Sequence, residues 1–376
     1  MPQAVVNQWN GHEIQLRYEL HGRVETPEQA SSSEGVQRPR LLIIPALGGP
    51  VTSNWFSHVV RHFAGLLDTK GQPLVPVCIV EQRGIGESSV PDKMSGYSTT
   101  LMAQDCIHLL DQLGWKSNVH VVGMSLSAGI AIKLASAAPE KIGSLFLMAY
   151  TRRGWYIILN CIAHPFEFLK INVPNPRKLP GVLHPKLDAS LNAYFSHKWL
   201  DAKLPANQKQ YVCKEALDGR LPADVQKDIM SNDKTRRHIL HIIAHEGARL
   251  GASNSFMGAD QSKAGRNGHV KAMLTHNCTR GEWMQLRHAD FPITIMNGRY
   301  DPLIGKVLTG RAAKQLGCNF LITDATHAGV TVENAIELLT QLELSMFGIT
   351  VSSLADRKAR QQEAFDAAIV NPFFIS

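Results

Sequence analysis

Residues 118–136, NVHVVGMSLSAGIAIKLAS, constrain the fold more than any other stretch of the chain. A short apolar run rich in Val meets a segment of Ala, Ile and Leu at helical spacing, and only Gly123-Met124-Ser125-Leu126-Ser127 lies between them. So abrupt a strand-to-helix junction belongs in a sheet whose parallel strands are joined by crossover helices. The alternation recurs elsewhere. The runs LLIIP (41–45), 75–80, 142–148, 291–297 and NFLIT (319–323) are each short and apolar at consecutive positions, as strands covered on both faces are. Helical patterns near 54–67, 99–113, 304–316 and 331–346 separate them. Ile14, Leu16, Tyr18 and Leu20 alternate with polar residues, the period of a half-covered strand, and 26–40 reads as a polar loop. The expected class is α/β, with a mostly parallel, doubly wound sheet.

The alternation stops between 151 and 290. Pro174, Pro176, Pro180, Pro185, Pro205 and Pro222 break what is otherwise a mainly helical stretch, which reads as an inserted cap. The expected organisation is a first core part at 1–150, the cap at 151–290, a second core part at 291–346 and a C-terminal extension, helical in pattern, at 347–376. Charge follows the same division. The insert holds 21 Lys and Arg against 12 Asp and Glu, whereas the rest of the chain holds 18 against 20, so the net +7 resides in the insert. Such a basic segment suits an anionic ligand or a membrane surface, or is a solvated face. His238, His241 and His245 share one helical face without a carboxylate at metal-ligand spacing, and read as part of a basic helix. WYIILNCIAHPFEFL (155–169) reads as cap core, with an acyl pocket or peripheral membrane contact as the sharper alternative.

Composition removes other classes. With 44% hydrophobic and 19% charged residues the chain has the make-up of a globular protein, not of a disordered one. No apolar run reaches membrane-spanning length, and the first twenty residues lack the basic start and apolar centre of a signal peptide, so a cytoplasmic location is expected. The six cysteines form no CxxC pair, which fits reduced thiols and no zinc site. No nucleic-acid motif accompanies the basic insert. Gly84-Ile85-Gly86 lacks the third glycine of a dinucleotide fingerprint, and Pro91 interrupts the helix that would receive a pyrophosphate.

The chemistry-bearing residues lie where strands end. A serine at 125 is lifted out of the sheet by the tight turn, and the first N–H groups of the following helix point at any oxyanion formed beside it. A serine hydroxyl needs a base, and the base an acid to fix its tautomer. His327 in DATHAGV follows the strand NFLIT, and Asp301 in NGRYDP follows the strand at 291–297. The chain order Ser125, Asp301, His327, each residue on a loop after a strand, resembles the α/β-hydrolase family. LLIIPALGG stands where that family has a His-Gly segment after its third strand, and EQRGIGESS is similar to its Asp-x-Arg-Gly-x-Gly-x-Ser loop, with Glu81 in place of Asp. The resemblance covers 12–150 and 291–346 and leaves the insert outside it.

The resemblance implies a serine esterase or lipase-like hydrolase that cleaves a carboxylic ester or thioester through an acyl enzyme. Ser125 is the nucleophile, His327 the base and Asp301 its orienting acid. The backbone N–H of Leu126 and that of Leu47 or Ala46 make the oxyanion hole. No metal or organic cofactor enters this chemistry, and the partner is a small-molecule or lipid-like acyl substrate. The basic insert favours anionic ones such as acyl-CoA or phospholipid. An acyltransferase with the same acyl enzyme, and a non-catalytic binding or scaffold member of the fold, are the alternatives. Pro45 and Ala46 replace the usual His and Gly, and Ser127 replaces the last glycine of the serine turn.

Overall fold

The computed structural model describes residues 2–32, 38–45, 56–163, 188, 191–192, 194–249, 262–327 and 329–370. Eight strands form one sheet: β1 (Gln3–Trp9), β2 (His12–Gly22), β3 (Arg40–Ile44), β4 (Pro76–Val80), β5 (Val119–Met124), β6 (Ile142–Met148), β7 (Ile293–Gly298) and β8 (Asn319–Thr323), in the order β1-β2-β4-β3-β5-β6-β7-β8. β1 pairs antiparallel with β2 and β2 with β4, and every other pairing is parallel. β3 lies between β4 and β5, so the chain winds first to one side of β3 and then to the other. This reversal leaves a crevice at the carboxyl ends of the strands, where ligands bind in open α/β sheets.

The helices that matter below are α1 (Ser57–Ala64), α2 (Thr99–Gln112), α3 (Leu126–Ala137), α4 (Trp155–Ala163), α5 (Ala206–Glu215), α6 (Ala223–Met230), α7 (Arg236–Arg249), α8 (Lys263–Leu274), α9 (Arg280–Arg287), α10 (Lys306–Leu316), α11 (Ala335–Phe347) and α12 (Leu354–Val370). The consecutive apolar residues of the central strands divide between two cores, as period-2 geometry requires. Leu41, Ile43, Val122, Met124 and Phe146 face α1 and α11, while Leu42, Ile44, Val121, Leu145 and Leu147 face α2, α3 and α10. The doubly wound α/β sheet expected from the sequence is the observed one.

Three local features depart from the sequence reading. The first is the stretch at 155–169 expected as cap core, where Ile157 is buried but Trp155, Ile158 and Leu159 are exposed, and 164–169 lie outside the described residues. β1 adds a strand ahead of the expected first one, with Ala4 and Val6 buried and Ala4 opposite Leu16. Within the segment expected as a loop, Pro27–Ser31 forms a helical turn closed by a capping box, Thr26 and Gln29 each bonding the other's backbone N–H.

The insert is tied off at its base. Gly154 N–H donates to His276 O and Cys278 N–H to Arg152 O, and Arg153 bridges Asn277. Helices α4 to α8 lie inside this tie. α9 lies outside it and packs on α3, where Lys133 Nζ pairs with Glu282 at 2.6 Å, as a crossover helix between β6 and β7 would. The buried residues of 191–244 join the core on the α1/α11 face, and α12 packs against α11, α1 and α5, so the C-terminal helix clasps insert and sheet together. Among the described residues, Cys78, Cys106, Cys213, Cys278 and Cys318 are free thiols.

Candidate active site

Ser125 sits at the junction of β5 and α3 with φ 58° and ψ −118°, a backbone conformation that costs an L-residue about 1–3 kcal/mol. The turn is held from both sides. Ser125 N–H donates to Met148 O of β6 at 2.9 Å, and Ser125 O accepts from Ala128 N–H at 3.1 Å. Gly123 is required here for its missing side chain, because a Cβ would lie 2.4 Å from the carbonyl oxygen of Ser127. Ser127 itself is buried, and its hydroxyl donates to the carbonyl of Pro45 at the end of β3. The serine that replaces a glycine therefore ties the turn to the neighbouring strand. Leu126 N–H is in the first turn of α3, where no intrahelical acceptor exists.

Two further loops at the same sheet edge bring the other candidates together. Asp301 follows β7, and its Oδ1 accepts from Leu303 N–H at 2.8 Å and Ile304 N–H at 2.9 Å. These bonds fix the carboxylate and leave Oδ2 for His327, whose Nδ1 lies 2.8 Å away. His327 follows β8 and is buried, as is Asp301. With Nδ1 engaged by the carboxylate, Nε2 is the nitrogen left for proton transfer. Tyr194 from the insert stands edge-on to the His327 ring, centroids 6.4 Å apart, and burial, with the Asp301 charge adding to it, pushes its phenol well above the usual range. Of the expected oxyanion donors, Leu126 is the first residue of α3, and Ala46 and Leu47 lie outside the described residues.

A histidine that the sequence reading did not single out also borders the serine. His276 and Ser125 line the same narrow cleft with Gly129, Tyr150 and Thr151, whose free volume is about 10 Å³. Its Nδ1 lies 2.9 Å from the Thr99 hydroxyl and its Nε2 3.5 Å from the Tyr150 hydroxyl. Burial, then the charge of Lys133, lowers its pKa to about 3, which keeps the ring neutral. Nothing in LTHNC marks it as special, because its partners come from distant segments.

The loop EQRGIGESS is a brace. Glu81 pairs with Arg17 at 2.8 Å and accepts from Glu87 N–H at 2.9 Å, while the buried Arg83 forks onto Asp105 at 2.6 and 2.5 Å. Gly84 has φ 87° and abuts Gly265 of α8, so its glycines serve turning and close packing.

A sequence model of the alpha/beta hydrolase fold matches residues 39–329. The chain belongs to the alpha/beta hydrolase fold family. Solved structures agree with this fold. The enol-lactonase from Burkholderia xenovorans LB400 is 15% identical with TM-score 0.52, covering 90% of this chain and 96% of its own. MGS-M2, an alpha/beta hydrolase enzyme from a Medee basin deep-sea metagenome library, is 14% identical with TM-score 0.56, at 91% and 97% coverage. A thermophilic esterase from Thermogutta terrifontis is 14% identical with TM-score 0.51, at 91% and 99%. In this alpha/beta hydrolase, no described helix is long and apolar enough to cross a membrane, and no group of three or more His, Cys, Asp or Glu among the described residues is arranged to hold a metal ion. His241 of α7 is buried and lowered to about 4, mainly by burial, and its nearest carboxylate is Asp188 at 3.5 Å.

Proposed function

We propose that the chain is a serine hydrolase cleaving a carboxylic ester or thioester, with Ser125 as nucleophile, His327 as base and Asp301 as the acid that orients it. The observation that carries this reading is the Asp301–His327 pair, 2.8 Å apart, on the sheet edge where the strained Ser125 turn opens. His327 Nε2 takes the proton of the Ser125 hydroxyl as Oγ bonds the substrate carbonyl carbon, and the carbonyl electron pair moves onto oxygen. The N–H of Leu126 and one from residues 46–47 hold that oxyanion. Collapse expels the alcohol or thiol, which leaves with the proton from His327. Water then repeats the sequence on the acyl enzyme and releases the carboxylic acid. The basic helical insert acts as the cap that selects the acyl substrate, favouring anionic ones, in a cytoplasmic protein that needs no cofactor.

Turnover of p-nitrophenyl acetate and butyrate, with product analysis in the presence of alcohol and amine acceptors, tests this reading. The Ser125→Ala variant should lose at least about 10³-fold in turnover while melting normally. Free acid as the product supports a hydrolase, and acylated acceptor in its place would replace it with an acyltransferase. A Ser125→Ala variant that retains full turnover contradicts the nucleophile.

A further inference from the structure

The cleft that Ser125 lines leads inward from the serine and narrows at once. Ser125 and Met273 are half-buried, whereas Tyr150, Ile157, His276 and Ile304, which line the same cleft, are each at most 7% exposed. Its free volume of about 10 Å³ is about the least that holds one water molecule or one methyl group.

Bonds and backbone contacts fix most of the walls. The Thr99 and Tyr150 hydroxyls hold the two ring nitrogens of His276, and the ring lies so near α3 that a Cβ on Gly129 would stand 3.1 Å from its Nδ1. Tyr150 in turn stacks on Trp283, centroids 6.4 Å apart. Ile304 N–H donates to Asp301 Oδ1, so the loop that orients the acid also carries a wall of the cleft. A Cβ on Gly154 would overlap the carbonyl oxygen of Met273, which sets the start of α4 directly against α8. Ile157 and Ile304 form a small apolar cluster with Ala149, and Met273 packs against it. Among the described walls, Met273 alone combines partial exposure with an unbranched, flexible side chain.

We infer that this cleft receives the acyl part of the substrate and favours acetyl, with Met273 and Ile157 setting the limit; the assignment rests on the hydrolase reading above. The leaving group must depart while the acyl part stays on Ser125 until water arrives, so the part suited to a walled, inward-running cleft is the acyl one. With the carbonyl carbon bonded to Oγ at the mouth, one methyl group takes the free volume. Further methylenes would press on walls that are already bonded in place, and such overpacking is costly. The substrate class narrows to acetyl esters and thioesters, with acetic acid as the released product.

Hydrolysis of the isomers pentyl acetate and methyl hexanoate by the full-length protein tests it, because the two contain the same atoms and differ in which side of the carbonyl is short. Pentyl acetate should exceed methyl hexanoate in kcat/KM by at least about tenfold, and 4-nitrophenyl acetate should exceed 4-nitrophenyl hexanoate by a similar factor. Met273→Ala and Ile157→Ala should each raise the rate on the hexanoyl esters and narrow both ratios at least about threefold, so one variant serves if the other does not fold. Equal rates on the two isomers, a preference for methyl hexanoate, or ratios untouched by both variants would overturn the acetyl assignment and leave the hydrolase in place. No turnover of any of these esters above a Ser125→Ala blank would overturn the hydrolase reading and the acetyl assignment with it.

Discussion

At the serine turn, main-chain sterics decide each position: Gly123 has no room for a Cβ, Ser125 adopts a positive φ, and Ser127 spans to the carbonyl of Pro45. In the insert between 191 and 249, side chains decide. Arg236 lies against both the Trp199 and Phe365 rings, and Arg237 Nε reaches Asp201 at 2.7 Å. The contrast explains why a five-residue spacing identifies the first region and no spacing identifies the second. A backbone-built site reuses one geometry wherever it occurs, whereas a side-chain-built one is settled by partners far apart in the chain.

The largest effect expected at the backbone-built region comes from Asp301→Asn. The amide oxygen can still accept from Leu303 and Ile304 N–H, but an N–H₂ group facing His327 Nδ1 selects the wrong tautomer. Ester turnover should fall about 10³-fold or more with little change in melting temperature; comparable losses of both would mean the pair is only structural.

Next is Gly123→Ala. The new methyl would press on the Ser127 carbonyl carbon and oxygen at 2.7 and 2.4 Å, both backbone atoms that cannot swing aside. Destabilisation by about 3 kcal/mol or more in urea denaturation is expected. A neutral result would show that the turn is looser than the contrast requires.

Acid sharpens the comparison from the other side. His241, His269 and His276 in the insert, His58 in α1 and His120 in β5 are all lowered by burial to about 3–4. The unfolded chain therefore binds more protons, so stability is complete above the unfolded value near 6.5 and falls as pH drops toward the folded values. By pH 5 each buried ring should remove about 2 kcal/mol. Hydrogen exchange at pH 7 and pH 5, corrected for the intrinsic rate, should show α7, α8 and β5, each of which carries such a ring, losing protection together. Uniform protection across that range would contradict the expectation.

The fold was legible because apolar runs of strand length recur between helical patterns, and three residues with catalytic chemistry fall after strands. β1 was missed because its alternation spans only Ala4 and Val6 before a bulge between Val5 and Asn7. The turn at 27–31 was legible in the Thr26-x-x-Gln29 capping box but is short enough to pass for loop. His276, Tyr194 and Arg236 carried no sequence signal. Each acquires its place from residues more than thirty positions away, such as Thr99, His327 and Trp199.

The smallest expected effect is Ser127→Gly, which restores the family's usual residue and removes the bond to Pro45 O. Stability should fall by about 1 kcal/mol, and turnover should stay within a few-fold. A loss beyond tenfold would make this bond part of the oxyanion geometry instead of a brace.

The central claim, that Ser125 is an activated nucleophile, is tested most directly by treating the purified protein with a fluorophosphonate and mapping the label by peptide mass, with Ser125→Ala as control. The account predicts a single label on Ser125, absent from the variant and lost when His327 is replaced. An unlabelled Ser125 in folded protein, or label carried mainly by another serine, would contradict it.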